Sequence, residues 1–498
     1  MLADVLFLIT LVMDVAALFT TLQWPALFPD LRDYLALAAL PIRMRDIFLA
    51  KATSLIGATF LVIAGVALLP SVVVPAMMGG RYGSGTRWHA PGIFFASLLG
   101  GLFIFFMLVA FQGVLLNLVP NRQFPHISLA MQGVLLAALL GGLPFVLSIP
   151  DLYGHIDPLP SWAIYCPPVW FFGIDQMLTG QLDPSIVFLA RTAVLGLVGS
   201  GVAALSTYFW SYHRHRVRIL ESSSGKSASR RAMWPDIFSE KLFSNPRSLG
   251  VFSFIAKSLA RSRPHRLFLI AFGAIALAFI SQGFAGVALV RGNFRGMSAL
   301  TEGVRESVIA IPLAISLCVL AGLRYLFRLP IELRANWLFR ILEPGNAAAM
   351  LTGVERFLFF WGVLPVALVT LPVETTWLGV RTGGAAALAC ALISLLLVEF
   401  LLFTFEQIPF TSSYLPGRRP LIETALKYSI SAVAYVWGFA GLVSVLVRTG
   451  ASTVIFVLVL GIAWRGLRGA RLTGRQIGRL EFEETLEPAV HILGIDRD

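Results

Sequence analysis

Charged side chains are scarce in this chain. Asp, Glu, Lys and Arg make up 13% of its 498 residues, whereas hydrophobic residues make up 57%. Soluble domains contain roughly 25% charged residues, and a soluble fold cannot hide so much apolar surface from water. The scarcity of charge therefore excludes an ordinary soluble protein and predicts an integral membrane protein.

Cysteine is scarcer still, and metal-binding patterns are missing. The three cysteines, Cys166, Cys318 and Cys390, lie far apart and form no CxxC pair. This spacing excludes a disulfide framework and a thiolate metal site. His213 and His215 stand among arginines, whose positive charge opposes binding of a metal cation. We expect neither a metal nor a cofactor.

The motifs of catalytic and nucleotide-binding sites do not stand out either. Ser224 to Ser227 reads SGKS, like the end of a phosphate-binding loop, but Leu220 occupies the position where that loop needs its first glycine. No HExxH, GxSxG or Ser/His/Asp pattern is evident. We therefore expect that this chain is not an enzyme and has no nucleotide site of its own.

Long apolar runs are what the sequence has in abundance. They predict an all-α, polytopic fold with about eleven transmembrane helices and short amphipathic helices at the membrane surface. In lipid only helices or closed barrels satisfy the backbone, and these runs are too long and too apolar for barrel strands. The predicted spans are 3–22, 52–78, 92–118, 127–149, 185–210, 266–290, 306–327, 355–372, 376–403, 424–446 and 450–465.

A basic, serine-rich stretch separates two groups of spans. This composition is typical of a flexible linker near anionic lipid. We expect an N-terminal membrane half over 1–210 with about five spans and a cytoplasmic linker over 211–265. A C-terminal half over 266–465 with about six spans and a cytoplasmic tail over 466–498 should follow.

Lys and Arg are concentrated in alternate connections. They are frequent in 23–51, 211–265 and 466–498, whereas 150–184 contains none. The positive-inside rule therefore places the N-terminus outside and the C-terminus in the cytoplasm, in a cytoplasmic membrane. The same loops account for the net charge of +12, so we expect contact with membrane lipids and no binding of nucleic acid. Because Met1 leads directly into an apolar run, we expect no cleavable signal peptide.

The connection after the first span alternates charged and apolar residues. From Asp33 to Lys51 it has the form D…L..LP(I/V)…I..AK and enters the second span. Here the chain resembles the permease subunits of ABC-2 type exporters, which have a cytoplasmic segment of this form. The resemblance implies a permease that exports a substrate while a separate ATP-binding cassette subunit hydrolyses ATP. Typical members have fewer spans, which implies a fused double unit or an atypical branch, as a homo- or hetero-oligomer.

By this resemblance, the charged segment would form the docking surface for the ATPase. Its core would be the basic and acidic side chains just before the second span, and the earlier charges would support them. The residues assigned to docking are Asp30, Arg32, Asp33, Arg43, Arg45 and Asp46.

Two further functions stay open. An ion-coupled secondary transporter or lipid flippase would use carboxylates inside the membrane, and the candidates are Asp14 and Glu399. A membrane enzyme acting on lipid-linked substrates would need clustered polar groups at one membrane face. The outer loops offer only the scattered residues Asp151, His155, Asp157 and Asp175.

Overall fold

A computed structural model of the chain describes most of its residues. The described ranges are 2–27, 43–77, 86–120, 123–147, 149, 161–222, 245–291, 302–331, 335–342, 347–403, 405, 407–411, 421–447, 450–477, 480 and 482. Every regular element in these ranges is a helix, which confirms the predicted all-α fold.

Contacts within the chain divide it into two compact units, which we call the N-terminal unit (Met1–Ala228) and the C-terminal unit (Ser229–Asp498). The α-helices of the N-terminal unit are α1 (Leu2–Leu22), α2 (Met44–Met77), α3 (Thr86–Leu118), α4 (Phe124–Leu147), α5 (Pro167–Leu178) and α6 (Pro184–Ser222). Those of the C-terminal unit are α7 (Pro246–Arg261), α8 (Arg263–Arg291), α9 (Glu302–Leu326), α10 (Asn336–Leu342), α11 (Ala347–Leu358), α12 (Leu364–Leu378), α13 (Val380–Phe403), α14 (Leu421–Leu446) and α15 (Gly450–Ile477).

The helices confirm a polytopic membrane protein. Among the described residues, nine helical segments are long and apolar enough to cross a membrane. The two other predicted spans coincide with α8 and α14, and the apolar stretch described in α14 is the shorter segment Ile430–Leu446. The total of eleven spans therefore stays a prediction.

The packing of α6 shows how such a helix meets lipid. Its residues Leu195, Val198, Val202 and Leu205 recur at helical spacing and are all exposed, whereas Ala193 is buried against the unit. An apolar stripe of this kind is stable only against hydrocarbon. Within the N-terminal unit, α3 is the central helix and packs against α1, α2, α5 and α6.

The predicted linker 211–265 is helical at both ends. Helix α6 continues to Ser222, and α7 begins at Pro246, where the side chain of Asn245 accepts a hydrogen bond from the Arg247 backbone N–H at 3.0 Å. Val251 and Ile255 recur at helical spacing within the basic sequence of α7 and form an apolar face. This face is buried against α11. The remaining linker residues, 223–244, lie outside the described residues.

A π-helical turn joins α11 to α12. It spans Phe359–Val363, and the backbone N–H of Leu364 donates to the carbonyl of Phe359, five residues earlier. The next residue is Pro365, which has no N–H to continue an α-helical ladder. A wider turn of this kind is one way in which a long helix accommodates a proline.

Three buried hydrogen bonds fix the end of α1 in the N-terminal unit. The indole N–H of Trp24 donates to Ser128 Oγ at 2.9 Å, and Gln112 Nε2 donates to the Trp24 carbonyl at 2.9 Å. Gln132 Nε2 donates to the Thr21 carbonyl at 2.8 Å. Gln112 of α3 and Gln132 of α4 thus satisfy carbonyls at and just after the end of α1, and the Trp24 indole donates to α4. Together the three bonds attach this end of α1 to both helices.

We expect Gln132→Leu to destabilise the N-terminal unit by about 1–3 kcal/mol, because the buried Thr21 carbonyl loses its side-chain donor. Thermal unfolding of the purified chain in mild detergent measures the effect. Gln123→Leu is the matched control, because Gln123 is exposed on the short connection before α4. Equal unfolding temperatures for Gln132→Leu and Gln123→Leu would show that the hydrogen bond from Gln132 to the Thr21 carbonyl does not stabilise the N-terminal unit.

Candidate functional site

Three helices of the C-terminal unit bring ionisable side chains together in its interior. Glu355 belongs to α11, Glu399 to α13 and Arg471 to α15, and all three are buried. Glu355 lies one turn after Leu351, on the face that carries the buried core of α11. On α15, Phe456 and Leu460 lead along one face toward Arg471. The apolar periodicity of each helix thus turns a charged residue inward.

The side chains form a continuous ionic cluster. Arg471 Nη2 lies 2.5 Å from Glu355 Oε2, and Arg471 Nε lies 2.6 Å from Glu399 Oε2. Arg468 Nε lies 2.8 Å from Glu355 Oε1. The exposed fractions of the Arg471 and Glu399 side chains are 1% and 2%, against 32% for Arg468. Arg471 is therefore the interior cation and Arg468 the peripheral one.

Two carboxylates face two guanidinium groups, so the ionic cluster is electrically balanced. The two contacts of Arg471 are charge-assisted hydrogen bonds, which are the strong kind and offset part of the cost of removing the charges from water. Arg468 Nε lies within ion-pair distance of Glu355 but makes no hydrogen bond. Glu399 Oε1 and Arg471 Nη1 remain without a hydrogen-bond partner. The cluster consequently has spare acceptor and donor capacity in its interior.

Aromatic side chains surround the charged groups of this region. The guanidinium of Arg468 lies 5.4 Å from the centre of the Trp464 ring. Nearby on α9, Arg324 donates from Nε to the Leu401 carbonyl at 3.1 Å and lies 4.3 Å from the centre of the Phe405 ring. These contacts stabilise cations where water is scarce. The Arg468 contact lies within α15, whereas the Arg324 contacts join α9 to the end of α13.

The ionic cluster holds helices together by electrostatic attraction. It contains no nucleophile paired with a base, and its carboxylates are occupied by arginines. Among the residues that the structure describes, no group of three or more His, Cys, Asp or Glu side chains could hold a metal ion. The arrangement connects α15 to α11 and α13, and any movement of α15 must therefore move or break these bonds.

The two carboxylates predicted inside the membrane lie in different units. Glu399 belongs to the ionic cluster, whereas Asp14 lies half-buried on α1 in the N-terminal unit. Asp14 Oδ2 is buried without a hydrogen-bond partner. The structure therefore neutralises Glu399 with an arginine and leaves a carboxyl oxygen of Asp14 unpaired.

The predicted docking residues are described only in part. Arg43 is exposed directly before α2, and Asp46 is exposed in the first turn of that helix. Arg45 has a helical backbone, and its side chain is not described. Asp30, Arg32 and Asp33 lie outside the described residues. The docking surface remains a prediction.

Sequence reasoning missed the cations of the ionic cluster. Arg468 and Arg471 were expected in a cytoplasmic tail, yet α15 runs to Ile477, beyond the predicted end of the last span at 465. The helical spacing of Phe456, Leu460 and Arg471 was the signal in the sequence that could have revealed them.

One of the outer-loop carboxylates is also buried. Asp175 lies on α5 with no exposed surface, and Gln176 Nε2 donates to its Oδ2 at 2.9 Å. Its Oδ1 has no hydrogen-bond partner and lies against Gly92 of α3, where an added Cβ would clash with it. Burial raises the pKa of Asp175 to about 7. Asp151, His155 and Asp157 lie outside the described residues.

No protein-family model, curated protein or solved structure matches this chain.

Proposed function

We propose that this chain is the membrane-spanning permease of an ABC-2 type exporter. It moves a substrate across the cytoplasmic membrane, with its N-terminus outside and its C-terminus in the cytoplasm. A separate ATP-binding cassette subunit hydrolyses the ATP and docks on the charged segment before α2. The chain itself supplies the pathway for the substrate and the surface on which the conformational change of the ATPase acts.

The observation that supports this proposal is the junction between the charged segment and α2. Arg43 and Asp46 are exposed at the start of a helix that continues to Met77 and contains Pro70 and Pro75 near its end. The same helix packs against α1 and α3. Its buried residues Ile63 and Ala67 lie before these prolines, so a force applied at Arg43 would pass along the first part of α2 into the packed spans of the N-terminal unit.

The ionic cluster is compatible with an external energy source. Its carboxylates Glu355 and Glu399 are paired with arginines, so neither is available to carry an ion across the membrane. Work done by a partner ATPase needs no free carboxylate at the midplane. The pairing of Glu399 thus favours the exporter over a carrier that would use this residue.

The proposal predicts that an ATPase subunit copurifies with the chain and that charge reversal at the docking segment removes it. We expect Arg43→Glu/Arg45→Glu to reduce the recovered ATPase at least tenfold, a loss of about 1.4 kcal/mol of binding free energy. Affinity purification from native membranes in mild detergent, followed by quantitative mass spectrometry, measures the ratio of the two subunits.

The matched control is Arg230→Glu/Arg231→Glu, which makes the same charge change in the predicted linker and should leave the ratio unchanged. Intact wild-type protein without an ATPase in several detergents would overturn the proposal. An ion-coupled secondary transporter would then take its place, because Asp14 has an unpaired buried oxygen. In that case Asp14→Asn should abolish proton uptake by proteoliposomes that contain the purified chain.

A further inference from the structure

Glu374 is a buried carboxyl group without a partner. It lies near the end of α12 with 1% of its surface exposed. Neither Oε1 nor Oε2 has a hydrogen-bond partner. The ion pairs that join α15 to α11 and α13 involve Glu355 and Glu399, not Glu374. No functional role considered above uses this residue.

A second unpaired oxygen lies on the same face of α12. Thr370 precedes Glu374 by one helical turn and is also buried, at 4% exposure. Its Oγ1 has no hydrogen-bond partner. Threonine in a helix ordinarily donates to a carbonyl in the preceding turn, as Thr375 and Thr376 do in the same helix. The unpaired hydroxyl of Thr370 therefore adds to the polar capacity beside Glu374.

Close packing against α13 shields this face from solvent. Gly383 of α13 approaches the backbone of Glu374 so closely that any Cβ at that position would overlap the Glu374 carbonyl. Helix α9 and the π-helical turn also pack against α12. The two unpaired side chains are thus enclosed by neighbouring helices instead of facing lipid or water.

Among the described residues, no cation forms an ion pair with Glu374. The titratable and charged residues on the packed elements are Glu302, Arg305, Glu306, Cys318, Arg324 and Tyr325 on α9 and Arg381, Cys390 and Glu399 on α13. The π-helical turn has none.

Three of the charged residues on α9 and α13 have other partners or are exposed. Arg324 is bound to the Leu401 carbonyl, and Glu399 is bound to Arg471. Arg381 is exposed at the start of α13.

The protonation state follows from the cost of burying charge. An ionised carboxylate without a cation or hydrogen-bond donors is very unfavourable in an apolar interior. A carboxylic acid is neutral and has one donor and several acceptor positions. A protonated Glu374 would avoid this cost, whereas loss of the proton would require water or another acceptor to reach this face of α12.

We propose that Glu374, with Thr370 beside it, is a proton-binding site of the C-terminal unit. The ligand is a proton that Glu374 binds as a carboxylic acid at neutral pH and exchanges when the packing of α12 against α13 opens. The site does not depend on the ATPase partner, because the geometry that supports it lies within the C-terminal unit. Failure of the copurification test would leave it unchanged.

Infrared difference spectroscopy of the purified chain in lipid tests this site. The spectrum of the wild type minus that of Glu374→Gln should contain the carbonyl band of one carboxylic acid, which shifts in heavy water. The band should be present at about pH 5, disappear toward about pH 10 and be replaced by carboxylate bands, since this range includes the titration of buried carboxyls. The Glu374→Asp variant should retain an acid band at a shifted frequency.

Glu399→Gln is the matched control, and its difference spectrum should contain carboxylate bands at neutral pH, because Glu399 is paired with Arg471. Carboxylate bands at neutral pH for Glu374→Gln would overturn the proposal. An acid band that vanishes at constant pH when sodium chloride replaces choline chloride would assign the oxygens to a sodium ion, which also overturns it. If Glu374→Gln fails to fold, a shift of the acid band between the wild type and Glu374→Asp supports the site, and its absence overturns it.

Discussion

Replacing Arg471 by methionine should destabilise the C-terminal unit by about 3–5 kcal/mol. Methionine fills a similar volume, but it removes the donors 2.5 Å from Glu355 and 2.6 Å from Glu399. Glu399 would then be a buried carboxylate without a cation, and Glu355 would retain only Arg468. Breaking a buried ion pair from one side is costly because the remaining charge stays desolvated. Thermal unfolding in mild detergent, monitored by loss of the monodisperse peak, measures the effect.

Arg468→Met is the control within the same helix. Arg468 is 32% exposed and is paired with Glu355 alone, so its loss should cost about 1 kcal/mol or less. Adding Glu399→Gln to Arg471→Met should restore part of the stability, because it removes the unpaired charge. Equal losses for Arg471→Met and Arg468→Met would show that the buried pairs do not support the C-terminal unit.

Asp175→Asn should stabilise the N-terminal unit by up to roughly 4 kcal/mol above pH 7 and remove a pH dependence that the wild type shows. Burial raises the pKa of Asp175 from 3.8 to about 7. Between these values the folded chain holds a proton that the unfolded chain has released. Wild-type stability should therefore fall as the pH rises from about 4 to about 7 and then level off. Asparagine remains neutral at every pH and has nearly the same shape.

Unfolding temperatures measured across this pH range distinguish Asp175→Asn from a matched control. Asp183→Asn changes an exposed aspartate in the connection that follows α5, and we expect it to follow the wild-type profile. A profile for Asp175→Asn that parallels the wild type would show that Asp175 does not cause the pH dependence.

The membrane helices could be predicted because their signal is local. Helix α3, for example, is an unbroken apolar run whose length alone requires a span, and the structure places it at Thr86–Leu118 around the predicted 92–118. Helix α7 was not foreseen, because its sequence is basic and serine-rich. Its buried residues Val251 and Ile255 form a helix face only when α11 covers them. The amino-acid composition of this stretch does not predict that α7 packs against α11.

The spacing of apolar residues on α15 could place Arg471 on its buried face, but the pairing within the ionic cluster could not be predicted because the partners are distant in sequence. Glu399 was identified as an unusual carboxylate in a span, but Arg471 lies 72 residues after it. Glu355 lies 116 residues before Arg471. Glu374 was overlooked for a different reason, since it falls between the predicted spans 355–372 and 376–403. In the structure α12 continues through Glu374 to Leu378 and buries it.

The π-helical turn Phe359–Val363 has a geometric consequence for both acidic sites. On an uninterrupted α-helix, Glu355 and Glu374 would point in directions about 100° apart. The π turn absorbs one extra residue and so resets the angular phase of the helix beyond it by about the same amount. Both carboxyl groups consequently belong to one face of a single long helix. If the π turn moved along the helix by one helical turn, the residues that it passed would rotate about the helix axis. Both ends of the helix would stay in place.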